Sequence, residues 1–185
     1  MVKKIIFLSL WISLVGFLFC VSAQSKVEEL FGKIKIQPLR EVKKAPPFCL
    51  KNLEGEIIEL KNFKGRVILL NFWATWCSPC KEEMPSMETL YQQFDRKDFT
   101  LLAVSVDFEE SKNVKKFIEK SGYTFPVLVD PKGKILDLYG VRAIPTTFLI
   151  DQNGLILGKA IGPRRWDTPD VVSLIHLLLT GKNKI

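Results

Sequence analysis

The chain has 185 residues, of which 47% are hydrophobic and 25% charged, and its formal net charge is +7. This composition fits one globular domain with a hydrophobic core plus a leader or tail, and it excludes a disordered chain and a multi-pass membrane protein. The Lys and Arg residues are spread along the chain without an Arg-rich block, so no nucleic-acid-binding surface is predicted.

Residues 1–23 have the pattern of an export signal. Two lysines precede an apolar run, and small residues stand before a cleavage site at Gln24. The alternatives are an uncleaved membrane anchor, which would be the only membrane contact, and lipid attachment at Cys20. All three place the domain outside the cytoplasm, in the periplasm or on the outer face of the bacterial cytoplasmic membrane.

Residues 24–44 are predicted to link this leader to the domain. Apolar residues at helical spacing predict a short amphipathic helix at 26–34. The polar stretch 35–47 ends in Ala-Pro-Pro, which marks the start of a single domain over residues 45–185.

The domain is predicted to alternate strands with helices. A hairpin turns at Glu54-Gly55, and a long apolar run at 66–73 has the character of a strand buried on both faces. The other predicted elements are strands at 57–60, 98–107, 126–129, 146–151 and 155–162 and helices at 78–96, 111–122, a short stretch ending at 140, and the C-terminal segment from Asp167 or Thr168. This order predicts an α/β sandwich with a mixed central sheet flanked by helices.

Cys77 and Cys80 fall where the buried strand meets the start of a helix. A thiol at a helix N-terminus faces the positive end of the helix dipole, which favours its thiolate. Three-residue spacing brings the two sulfurs to one side of the helix. Cys77 can therefore attack a foreign disulfide, and Cys80 can then resolve the mixed disulfide.

Metal and haem sites fit this cysteine pair less well. A structural zinc site needs about four ligands, and Cys49 and His176 are the remaining soft ligands of the domain. Haem attachment requires a histidine directly after the second cysteine, where Lys81 stands. No metal and no cofactor is predicted.

The segments LLNFWATWCSPCKEEMP and IPTTFLID give the chain a family resemblance. The sequence resembles the thioredoxin superfamily and, within it, the TlpA/ResA-like exported thiol–disulfide oxidoreductases, from about Ala45 to the C-terminal helix. The resemblance implies a thioredoxin-like sandwich with an added N-terminal β-hairpin and a helix–strand insertion.

The same resemblance assigns roles around the cysteine pair. Cys77 matches the nucleophile and Cys80 the resolving cysteine, and the two are expected to form a disulfide. Trp76 is expected to pack beside them, and Ser78 and Pro79 to shape the site and tune its potential.

A second segment is expected to face the pair. Pro145 matches a cis-proline, and Ile144, Pro145 and Thr146 are expected to bind substrate by strand-like backbone pairing. The alternative is an ordinary trans proline.

Glu83 matches an active-site glutamate of the TlpA/ResA-like group. It lies three residues after Cys80, so both can project from one helix face, and its carboxylate could exchange a proton with Cys80. The alternative is that Glu82 and Glu83 only complement the helix N-terminus. Thioredoxins carry a buried Asp where this chain has Asn71, which cannot shuttle a proton and so adds weight to Glu83.

Two further residues carry weaker expectations. Cys49 is expected to be a buried or half-buried free thiol, because unpaired cysteines are commonly buried, with a regulatory disulfide as the alternative. His176 lies among apolar residues and is expected to be a packing or surface residue.

The Ser-Pro dipeptide between the cysteines is similar to the Gly-Pro of reducing family members. The resemblance therefore implies a reductase of disulfides in exported proteins, with apocytochrome c as the expected substrate during cytochrome c maturation. A reductase outside the cytoplasm needs an electron supply, and the resemblance implies a membrane donor of the CcdA or DsbD type.

Two other functions fit the sequence less well. A peroxiredoxin-like peroxidase usually has Thr three residues before its reactive cysteine, whereas Thr75 stands two before Cys77. A copper-delivery protein of this fold spaces its cysteines one residue wider and adds a distal histidine, and His176 lies in another segment.

Overall fold

The computed structural model describes residues 25–108 and 112–180, without the side chain of Arg40. The predicted export signal lies outside these residues. The helices are α1 (25–33), α2 (Ser78–Gln92), α3 (Lys112–Ser121), α4 (Lys134–Leu138) and α5 (Pro169–Leu179), with a 3-10 turn at Leu60–Phe63. The strands are β1 (Gln37–Lys44), β2 (Cys49–Asn52), β3 (Ile57–Glu59), β4 (Val67–Trp73), β5 (Phe99–Ser105), β6 (Val127–Val129), β7 (Thr146–Ile150) and β8 (Leu155–Ile161).

All eight strands form one mixed sheet in the order β1-β8-β7-β4-β5-β6-β2-β3. β4 runs parallel to β5 and antiparallel to β7, and every residue of β4 is buried. A continuous apolar run buried on both faces is what a central strand requires. α2 packs against β5 and α5 against β4, so the predicted α/β sandwich of thioredoxin type is confirmed.

The predicted hairpin is β2–β3, which turns at Gly55 with φ +87°. It joins the sheet through β2, which pairs with β6. α3 and β6 follow β5 in the chain and supply the expected helix–strand insertion, and β6 lies between β5 and β2 in the sheet. Among the described residues, the structure has no helix long and apolar enough to cross a membrane.

The N-terminal segment, residues 25–44, corrects one expectation. The predicted amphipathic helix is present as α1, with Leu30 and Phe31 buried. Residues 37–44, however, were expected to be linker and instead form β1, which pairs antiparallel with β8 at the sheet edge. This segment therefore packs as an integral part of the sheet and its core.

Gly158 lies where the N-terminal segment crosses β8. A Cβ at this position would lie 2.7 Å from Ile36 Cγ2, 2.8 Å from the Gln37 carbonyl oxygen and 3.0 Å from Phe31 Cε2. The close approach of the two backbones therefore depends on glycine.

We expect Gly158→Ala to lower the free energy of unfolding by about 1–3 kcal/mol, the usual cost of overpacking. Urea unfolding measures this difference. Gly32→Ala is the matched control, because a Cβ in α1 meets nothing within 4 Å and alanine favours the helix. Equal stability of the Gly158→Ala variant and the original chain would contradict the tight docking of the segment.

Candidate active site

The cysteine pair lies at the junction of β4 and α2, as predicted. Cys77 is the N-cap of α2, and its Sγ accepts a hydrogen bond from the Cys80 backbone N–H at 3.3 Å. Pro79 occupies the first turn, where its missing N–H costs no intrahelical bond. Cys77 and Cys80 form a disulfide, with their Cα atoms 5.3 Å apart.

The two cysteines differ in access. Cys77 is 6% exposed, whereas Cys80 is completely buried. Trp76, next to the pair, is 61% exposed and turns a large aromatic surface to solvent. A substrate disulfide can therefore reach Cys77 first, and Cys80 can act only from inside the protein.

The Ile144–Pro145 peptide bond is cis, which confirms that expectation. Cys77 Sγ lies 3.9 Å from the carbonyl oxygen of Ile144, so this loop does face the pair. Thr146 is buried, and its hydroxyl donates to the Ala143 carbonyl at 2.7 Å. Its side chain thus shapes the loop, and binding of substrate by residues 144–146 stays a prediction.

A groove of about 360 Å³ is lined by two residues that adjoin Cys77, namely Trp76 and Ile144. Phe108 and Leu136 also line it. Phe108 is 80% exposed, the largest exposure among the large hydrophobic side chains of the described residues. Phe108 was not predicted from the sequence, although an aromatic residue just after a buried strand is a visible signal.

Glu83 is buried beside the pair and is only 3% exposed. Its Oε1 accepts a hydrogen bond from Asn71 Nδ2 at 3.0 Å. Its Oε2 accepts from Trp166 Nε1 at 3.0 Å and from the Arg164 backbone N–H at 3.2 Å. Since Cys80 stands three residues earlier on α2 and is also buried, both groups share the inner side of the helix.

Burial raises the pKa of Glu83 from 4.5 to about 7, because desolvation disfavours the charged carboxylate. The hydrogen bonds from Trp166, Arg164 and Asn71 and the charge of Arg164 lower the pKa and offset part of this effect. The carboxyl is therefore about half ionised at neutral pH. A group with this property can both take and return a proton in the reaction.

Asn71 stands at the position where thioredoxins carry aspartate. It is buried on β4 and donates to both Glu83 Oε1 and Thr147 Oγ1, the latter at 2.9 Å. Its Oδ1 is buried without a hydrogen-bond partner. Asn71 thus helps to orient Glu83, and its amide retains a free acceptor next to the carboxyl group.

The loop before Cys77 is fixed by Asp107, another residue that the sequence analysis missed. The carboxylate of Asp107 accepts hydrogen bonds from the Thr75 backbone N–H at 3.0 Å and from the Thr75 hydroxyl. The Ser105 hydroxyl donates to the same carboxylate at 2.6 Å. The end of β5 therefore holds the chain that enters the active site.

Cys49 and His176 lie outside this arrangement. Cys49 is free and exposed at the start of β2, so the expectation of a buried thiol was wrong. β2 is separated from β4 by β5 and β6. His176 is exposed on α5 and packs its ring 4.9 Å from that of Phe94. Among the described residues, no three His, Cys, Asp or Glu side chains are grouped to hold a metal ion.

A model of the AhpC/TSA family matches residues 42–158, which include the cysteine pair, Glu83 and Pro145. The chain belongs to this family. The match covers β2 to β7 in full, the last three residues of β1 and the first four of β8, and therefore both segments that meet at Cys77.

Proteins similar to this AhpC/TSA member carry thiol–disulfide oxidoreductase names. The "Thiol-disulfide oxidoreductase ResA" of Bacillus thuringiensis (strain Al Hakam) is 45% identical over 120 residues, 65% of this chain and 69% of that protein. A crystal structure from Chlorobium tepidum, described as a thiol:disulfide interchange protein DsbE, is 36% identical with a TM-score of 0.69, covering 76% of this chain and 99% of that one.

The crystal structure of StoA from Bacillus subtilis is 33% identical with a TM-score of 0.60, covering 70% of this chain and 97% of that one. Together with the Cys77–Cys80 pair, these similarities make this AhpC/TSA member a ResA-like thiol–disulfide oxidoreductase.

Proposed function

We propose that this oxidoreductase reduces disulfides in exported proteins outside the cytoplasm. The observation that carries the proposal is the buried Glu83 carboxyl, with a pKa of about 7, on the same side of α2 as the buried Cys80. Reduction of a substrate ends with the attack of Cys80 on a mixed disulfide. That attack needs a base inside the protein, because Cys80 has no contact with solvent.

The cycle begins with the reduced pair. The Cys77 thiolate attacks one sulfur of the substrate disulfide, and the other substrate sulfur leaves as a thiolate. The Cys80 thiol then gives its proton to the Glu83 carboxylate, and its sulfur attacks Cys77 Sγ. The Cys77–Cys80 disulfide forms, the second substrate thiolate leaves, and Glu83 releases its proton to solvent or to the leaving group.

The pair must then be reduced again. The compartments reached by export are oxidising, so the surrounding pool would hold the pair as a disulfide. We propose a membrane dithiol donor of the CcdA or DsbD type, and apocytochrome c, whose haem-binding cysteines must be reduced before ligation, as the substrate. The export pattern of residues 1–23 supports a location outside the cytoplasm, and the Ser-Pro dipeptide between the cysteines supports reduction as the direction of the reaction.

The reduction potential of the Cys77–Cys80 couple tests the direction. Equilibration with thiol–disulfide buffers should give a value well below about −200 mV, towards the ~−270 mV of thioredoxin. The measurement is made on a Cys49→Ser variant, because the exposed Cys49 thiol would otherwise exchange with the buffer. A value near ~−120 mV, as in DsbA, would make the protein an oxidant and contradict the proposal. Rapid consumption of hydrogen peroxide would favour the peroxidase alternative instead.

A further inference from the structure

The side chain of Arg164 joins two parts of the chain by four hydrogen bonds. Its Nη1 donates to the carbonyl oxygens of Ile34 at 2.8 Å and Lys35 at 3.0 Å, at the end of α1. Its Nη2 donates to the carbonyl oxygens of Ile161 at 2.8 Å and Gly162 at 3.1 Å, at the end of β8. The guanidinium therefore clamps the N-terminal segment to the start of the loop over residues 162–166.

That loop supplies two of the three hydrogen bonds to the Glu83 carboxyl group. The Arg164 backbone N–H and the Trp166 indole both donate to Oε2. The Trp166 backbone N–H also donates to Ser86 Oγ at 3.0 Å, and the Ser86 hydroxyl donates to the Glu83 carbonyl at 2.7 Å. The loop and α2 are thus joined at the carboxyl group and again one turn further along the helix.

We propose that Arg164 is a positioning residue of this active site, which fixes the loop on Glu83 and makes the N-terminal segment part of the active-site scaffold. The groups that shift the pKa of Glu83 come from two parts of the chain: β4 brings the neutral Asn71, and the loop brings the neutral Trp166 and the positive charge of Arg164. The buried Cys80 stands three residues earlier on α2. Arg164 is thus the one cation among the groups that shift the pKa of Glu83.

Two effects of Arg164 on Glu83 have the same sign. Its charge favours the ionised carboxylate, and the donors that it holds in place do so as well. Loss of the guanidinium should therefore raise the pKa of Glu83 above about 7. A rise of about one pH unit would lower the ionised fraction at pH 7 from about a half to about a tenth, and slow resolution ~5-fold. This link to the rate rests on the proton role of Glu83 proposed above.

The test compares Arg164→Met with Arg164→Lys and Arg165→Met in the full chain. Arg165 is the matched control, because it is exposed and pairs with Asp167 at 2.7 Å. The titration midpoint of the Glu83 carboxyl is measured by ¹³C NMR with labelled glutamate, assigned by its absence in Glu83→Gln. The rate of mixed-disulfide decay is measured on the same samples across pH.

We expect the midpoint to rise by about one pH unit in Arg164→Met, by less in Arg164→Lys, and not at all in Arg165→Met. An unchanged midpoint in Arg164→Met would overturn the proposal. If this variant does not fold, the Arg164→Lys midpoint decides in the same way. A midpoint that moves without a change in decay rate would support the positioning role and refute the proton role of Glu83.

Phe31→Ala tests the link to the N-terminal segment. Phe31 is 4% exposed in α1, packs at Gly158 and is not one of the residues that hydrogen-bond Glu83. Loosening α1 should weaken the anchor at Ile34 and Lys35 and raise the Glu83 midpoint by a smaller amount than Arg164→Met does. If the Glu83 midpoint in Phe31→Ala equals that of the original chain, the N-terminal segment is not part of the active-site scaffold.

Discussion

Replacement of Cys80 by serine is expected to stop the reaction halfway, with Cys77 held to its substrate in a stable mixed disulfide. Cys77 still caps α2 and stands next to Trp76, which lines the groove, so the first attack should proceed. The mixed disulfide then persists, because the Cys80 sulfur that would attack Cys77 Sγ is missing. Multiple turnover should fall at least ~10³-fold, because loss of a reacting group costs more than the ~10²–10³ of a single hydrogen-bond donor.

The experiment uses a peptide with one disulfide and follows the adduct by mass spectrometry without reductant. Two controls separate the possible routes. Cys77→Ser should give neither turnover nor adduct, and Cys49→Ser should behave like the original chain, because Cys49 lies on the β2–β3 hairpin away from β4. Normal turnover of Cys80→Ser, or an adduct on Cys49, would contradict the assigned roles of the pair.

Residues 66–73 and 146–151 show why much of the fold could be predicted from the sequence. The first is a long apolar run after a glycine, and the second is followed by the hairpin turn at 152–154; they form the buried strands β4 and β7. Residues 37–44 are mostly polar and show no alternation of apolar and polar residues that would predict a strand. They become a strand only because β8 offers unpaired backbone groups at the sheet edge, which no local pattern reveals.

The active site also has one part that could be predicted from the sequence and one part that could not. Cys77, Cys80 and Glu83 share one helix, so their spacing alone indicated a common face. Arg164 and Trp166 meet Glu83 across more than 80 positions, and their contribution depends on how the loop after β8 folds back onto α2. Cys49 was predicted to be buried or half-buried because unpaired cysteines are commonly buried. Its position on the hairpin at the sheet edge leaves it exposed.

Replacement of Glu83 by glutamine is expected to slow the decay of the mixed disulfide by ~10²–10⁴, the usual contribution of a general base. In the original chain this rate should rise with pH through about 7, as Glu83 ionises. The variant should lose that rise, because glutamine does not ionise. Stopped-flow single turnovers from pH 5 to pH 9 measure both effects.

Glu82→Gln is the matched control, because Glu82 is the neighbouring residue on α2 and is exposed. The glutamine at position 83 should be accommodated, since Asn71 Oδ1 is buried without a partner and can accept from the new amide if the Asn71 side chain rotates. An unchanged rate and pH profile in Glu83→Gln would remove the proposed proton role, and altered kinetics in Glu82→Gln would show that charge on α2 suffices.

The same substitution should also remove a pH dependence of stability. In the original chain, the free energy of unfolding should fall over the pH range in which the rate rises. The pKa of Glu83 is about 7 in the folded protein and near 4.5 in the unfolded chain, so the folded state keeps a proton that the unfolded state loses between these values. The free energy of unfolding therefore falls as pH rises from about 4.5 to about 7 and is level above that. From pH 5 to pH 8 this carboxyl should remove about 2–3 kcal/mol from the original chain and nothing from Glu83→Gln. Urea unfolding of both proteins at the two pH values measures the difference, and parallel changes in the two would show that Glu83 is an ordinary carboxyl. A base poised for Cys80 at neutral pH is thus kept at a cost in stability.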